Sequence, residues 1–99
     1  MKAEDCKTLA ELRAEIDRID RALVRLIAER SGFVRRAAEL KGSREEILDP
    51  VRIAAILAEI RREAETLGLP PEVAEETFRA MIERFVAYEY QEFDRRKGG

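Results

Sequence analysis

The 99-residue chain contains no histidine, no tryptophan and a single cysteine, Cys6. One cysteine rules out an internal disulfide framework and suits a reducing compartment. With one thiol and no imidazole, a zinc site has too few of its usual ligands. No apolar run is long enough to span a bilayer, and no apolar segment of signal-peptide type follows Met1-Lys2. Excess charge of one sign is missing too: 40% of residues are charged, yet the net charge is −2. Basic residues interleave with acidic ones along helix faces, so nucleic acid finds no electrostatic footprint. Period-two runs of β-branched residues, the mark of strands, are absent. What remains is expected to be an all-α, cytoplasmic protein with no zinc site and no nucleic-acid or membrane partner. Its 45% apolar content is enough for the modest core of one domain, 1–99.

Residues 8–41, TLAELRAEIDRIDRALVRLIAERSGFVRRAAELK, organise the rest. Leu9, Leu12, Ile16, Ile19, Leu23, Leu26, Phe33, Ala37 and Leu40 recur at steps of three and four, the spacing of one helix face. The register is interrupted at one point, where Arg30 occupies the stripe. A cation in an apolar seam is costly unless an anion meets it. Either a carboxylate elsewhere in the chain pairs with Arg30, or the protein binds an anion there. Thr8 and Glu11 have the spacing of a capping box, and Gly42 can supply the C-terminal stop.

A polar connector, residues 42–48, leads to Asp49-Pro50, an N-cap followed by proline at the first helical position. The second helix shows an apolar face of Ile53, Ile56, Leu57, Ile60, Ala64 and Leu67 and ends at Gly68. The third starts at Pro70 or Pro71 and reaches about Arg96. Its stripe, Ala74, Phe78, Met81, Ile82, Phe85, Glu89 and Phe93, contains a second charge on a buried face, this time a carboxylate.

A first helix of some 33 residues is about 50 Å long, whereas a compact chain of this size has a radius of gyration near 13 Å. The apolar stripe of that helix therefore overhangs its own chain, and two-fold pairing of long helices would cover it. The expected assembly is an intertwined homodimeric helical bundle. Arg30 and Lys41, 11 residues apart, point the same way, with Cα atoms about 16 Å apart. Together they can grip the two ends of a small dianion. Arg13 lies about 25 Å before Arg30 on the same helix, so it reaches that ligand more readily from a second chain. Arg52 stands just past the connector, where it can close the pocket, and Glu89 brings a carboxyl to the buried side. Burial would raise the pKa of that carboxyl and neighbouring cations would oppose the rise. Plainer readings exist for each: solvated-face charges for Arg13 and Lys41, an Arg30–Glu89 structural pair, an inert Cys6, and packing roles for Tyr88 and Tyr90.

LAELRAEIDRIDRALVRLIAER, followed by Lys41 and by Asp49-Pro50-Val51-Arg52, resembles the all-helical chorismate mutases. It is most similar to the branch that includes the isochorismate pyruvate lyases. The resemblance covers essentially the whole chain, and the Arg13, Arg30, Lys41 spacing is its specific part. It implies the type II fold, three helices per chain in an entwined dimer with two equivalent sites. It also implies a dianionic substrate, chorismate or isochorismate, and a pericyclic reaction without metal, nucleophile or cofactor. On the matching positions, Arg13 of the partner chain and Arg30 would bind substrate carboxylates. Lys41 would donate to the ether oxygen and a carboxylate, and a protonated Glu89 would donate to the same ether oxygen. Asp49, Arg52, Ile53 and Phe85 would line the site.

Two positions depart from the mutase pattern. Ile53 stands where bacterial mutases usually have Glu, and Phe85 where many have a small hydroxyl residue; Ile53 is the lyase-like feature. Glu89 replaces the Gln of the lyases and bacterial mutases and matches fungal mutases. The expected activity is chorismate to prephenate, the alternative isochorismate to salicylate and pyruvate. A non-catalytic helical dimer is the alternative of another class.

Overall fold

Helix boundaries fall where the capping residues put them. The computed structural model describes residues 1–98, which form α1 (Leu9–Leu40), α2 (Pro50–Leu67) and α3 (Pro71–Gly98), with single 3-10 turns at Ala3–Asp5 and Arg44–Glu46. No strand occurs among the described residues. The all-α, three-helix architecture with one long N-terminal helix is the one the periodicities predict. The chain divides into two compact units, Met1–Phe33 and Val34–Gly99.

In the first unit, the Thr8 hydroxyl accepts from the Glu11 amide at 3.1 Å and caps α1. The reciprocal half of the expected box is shifted by one residue: the Glu11 carboxylate accepts from the Lys7 amide at 3.2 Å, not from Thr8. The stripe of this unit lies open in the single chain, with Leu9, Ile16, Ile19, Leu23 and Leu26 all about half exposed or more. Nothing within residues 1–33 buries it, since no residue of this unit is classed as buried.

The second unit has its own core. Asp49 caps α2 by accepting from the Arg52 amide at 3.0 Å, and Pro50 takes the first helical position. Gly68 closes α2 at φ 75°, the left-handed conformation that favours glycine. There the Gly68 amide donates to Glu65 and the Leu69 amide to Ala64, the paired bonds of a Schellman motif. α2 and α3 pack together, burying Leu57, Ala64, Ala74 and Ile82. A second cluster joins Ala38 at the end of α1, Ile47 in the connector and Phe93 on α3, with Val86 and Tyr90 against it.

Two further expectations need correction here. Leu67 is 72% exposed, because the chain turns away at Gly68 before anything covers that position; Ala64 is the last buried residue of the α2 stripe. Gly42 is not a left-handed stop, as Gly68 alone has a positive φ among the described residues. α1 ends instead with the Lys41 amide on Ala37 and the Gly42 amide on the Glu46 carboxylate, at 3.0 and 3.1 Å. The connector buries Ile47, 3% exposed.

Candidate active site

The second unit brings together two of the charges that the sequence singled out. Lys41 follows the last residue of α1, and its Nζ donates to Glu89 Oε2 on α3 at 2.6 Å. Glu89 is the one buried charged residue among those described, 7% exposed. It occupies the α3 stripe one turn before Phe93, so the spacing that buries Phe93 buries the carboxylate as well. A charge so placed requires a partner, and the ammonium supplies one through a charge-assisted hydrogen bond. Lys41 itself is only partly covered, which leaves a cation and a carboxylate converging at the edge of the core.

Other charged contacts join the end of α1 and the connector to the last turns of α3. Arg44 sends two N–H groups to the Asp94 carboxylate, Nε to Oδ1 at 3.0 Å and Nη2 to Oδ2 at 3.3 Å. Its guanidinium carbon lies 4.4 Å from the centroid of the Tyr90 ring, a cation–π contact. Hydrogen bonding and charge from Asp94 raise the Arg44 pKa above its ordinary value. Across the α1 and α3 ends, Glu39 accepts from Arg36 and from Arg96, each at 2.6 Å. The Arg36 hydrogen bond, followed by the charge of Arg96, holds the Glu39 carboxyl below the usual glutamate range. Glu92 is lowered likewise, first by its hydrogen bond from Arg95.

A cavity of about 300 Å³ opens in the same unit, lined by Leu48, Ile53, Arg79, Ile82, Glu83 and Val86. That is the small end of the ligand-pocket range. Its wall is mostly aliphatic, and Ile53 contributes to it. Asp49 is engaged as the α2 cap through the Arg52 amide, and the Arg52 side chain is exposed. Phe85 meets Tyr88 edge-to-face, with centroids 6.1 Å apart. In the first unit, Arg13 is exposed and Arg30 half-buried, with one guanidinium nitrogen shielded from solvent.

The residues that sequence reasoning missed are Arg44, Tyr90 and Asp94 as a group, and Ile47. Ile47 left a signal, a lone aliphatic residue in the polar run GSREEIL. The Arg44–Asp94 pair spans 50 residues and left none.

A family model described as chorismate mutase type II matches residues 12–90. The isochorismate pyruvate lyase of Pseudomonas aeruginosa is 36% identical over 95 residues, covering 96% of this chain and 94% of that protein. The T-protein of Enterobacter agglomerans is 40% identical over 75 residues, 75% of this chain. That of Haemophilus influenzae is 34% identical over 86 residues, 86% of this chain. The matches cover 20% and 23% of the two T-proteins' own lengths.

Proposed function

The chain belongs to the chorismate mutase type II family, and from that premise we propose that it is a chorismate mutase, converting chorismate to prephenate at a site shared between two chains. The observation that carries the reading is the Lys41–Glu89 pair, a cation and a carboxyl held 2.6 Å apart at the edge of the core. In the rearrangement, the ether C–O bond breaks as the enolpyruvyl methylene carbon bonds to the ring. No proton moves and no external reagent is consumed. What the protein must supply is a folded-over substrate conformation and stabilisation of charge growing on the ether oxygen.

In this reading Lys41 donates to the ether oxygen and to a substrate carboxylate, and Glu89 in its neutral form donates its O–H to the same oxygen. Arg30 and Arg13 of a second chain bind the carboxylates, while Asp49, Arg52, Ile53 and Phe85 complete the lining. A homodimer also answers the open stripe of the first unit, since a second α1 offers an identical apolar face. The single free cysteine agrees with a reducing, cytoplasmic setting.

A second reading is favoured by a specific observation. Ile53 lines a mostly aliphatic cavity with Leu48, Ile82 and Val86, beside Arg79 and Glu83, and a relative of nearly the same length is a lyase. In isochorismate pyruvate lyase chemistry, the hydrogen on the hydroxyl-bearing ring carbon passes to the enolpyruvyl methylene as the ether bond breaks. Salicylate and pyruvate are the products.

Incubation of the protein with each substrate separately, with products identified by NMR, decides between the two. Prephenate from chorismate, lost by about 10²–10³-fold in kcat/KM in Lys41→Met, is the expected result. Faster formation of salicylate and pyruvate from isochorismate would make the protein a lyase. No product from either substrate would overturn both readings in favour of a non-catalytic dimer.

A further inference from the structure

Lys41 stands where a helix is least able to hold a side chain still. Its amide closes the last turn of α1 on Ala37, and Gly42, the most permissive residue, comes next. Helix ends fray unless something beyond them is tied down. The structure ties down the connector three residues on, and at one place on α3. Arg44 is doubly bonded to Asp94 and lies over Tyr90. Ile47 is buried against Phe93. Tyr90, Phe93 and Asp94 begin at the residue immediately after Glu89.

The same stretch of α3, residues 89–94, therefore grips the connector that follows Lys41 and presents the carboxyl that Lys41 touches. Both members of the Arg44–Asp94 pair are about half exposed, so it contributes little to global stability. Its two parallel hydrogen bonds and the ring beneath give it directionality, the property needed to fix a segment in space.

We propose that Arg44, Asp94 and Tyr90 form a positioning clamp that sets the placement of Lys41 against Glu89, with Arg44 as its positioning residue. In function it rests on the reading of Lys41 as the ether-oxygen donor. The clamp acts through the connector and touches no reacting atom. Its loss lowers the turnover of bound substrate more than it weakens substrate binding.

The test compares wild type, Asp94→Asn, and the charge exchange Arg44→Asp with Asp94→Arg, using kinetics on chorismate and isochorismate and amide hydrogen exchange. Asp94→Asn is expected to lower kcat about fivefold or more, with KM changed by less than about twofold and the unfolding midpoint near wild type. The charge exchange recovers most of that loss. In Asp94→Asn, exchange quickens at Lys41 and Gly42 but not in the α2–α3 seam. Unchanged protection at Lys41, or lost protection with unchanged kcat, would overturn the clamp. If wild type turns over neither substrate, the enzyme reading fails by itself, and exchange at Lys41 still decides whether the clamp holds that residue.

Discussion

Residues 1–33 and residues 34–98 use the same helical pattern with different results. The second region meets its apolar stripes with apolar partners: α2 with α3, and Ala38 and Ile47 with Phe93. Within the first region, the stripe from Leu9 to Leu26 meets solvent. Period alone does not say what will cover a face. The contrast teaches that the same period leaves a face open in the first region and covered in the second, and that each region holds part of the charge set. Arg13 and Arg30 belong to the region with the open stripe, Lys41 and Glu89 to the one with the core.

The largest expected effect follows from that contrast. Phe93→Ala should cost about 3–5 kcal/mol, the usual result of emptying a packed aromatic site, read as a lower urea midpoint. Ile19→Glu with Leu23→Glu, on the open stripe, should act on assembly. Wild type should sediment at twice the 11.4 kDa chain mass, and the double variant at the single-chain mass. A wild type that sediments as a single chain at micromolar concentration would break the comparison, because the open stripe would then have no partner.

A smaller effect sharpens it through pH. Glu39 has a lowered carboxyl pKa, owed first to Arg36 and then, among the charges, to Arg96. Its contribution is therefore fully present above the ordinary glutamate value, about pH 4.3, and is lost as pH falls through the lower value of the folded protein. Glu39→Gln should flatten the acid limb of a stability-against-pH curve and change little near neutrality. An acid limb as steep as that of wild type would show that the linkage lies elsewhere.

Much of the fold was legible because its signals are local. Asp49-Pro50, Gly68 and Pro71 mark helix ends by backbone chemistry that needs no knowledge of the rest of the chain. The buried position of Glu89 was legible too, as a charge in the α3 stripe. Its pairing with Lys41 was not: the structural pair expected for it was with Arg30, and the Lys41 contact depends on where α1 ends against α3. Leu67 misled because a stripe can continue past the point where its cover stops. The Arg44–Asp94 contact depends on the course of a connector that has no period of its own, and Ile47 alone hinted that this connector is anchored. The wall around Ile53 assembles from the connector, α2 and α3, so no single stretch displays it.

The central claim is that one catalytic site draws on two chains, Arg13 from one and Lys41 with Glu89 from the other. Arg13→Ala and Lys41→Met, each nearly inactive alone, can be unfolded, mixed in equal amounts and refolded together. Random pairing makes half the dimers mixed, each with one site free of both substitutions, so about a quarter of wild-type chorismate turnover should return. Activity no greater than the sum of the two variants would contradict a shared site.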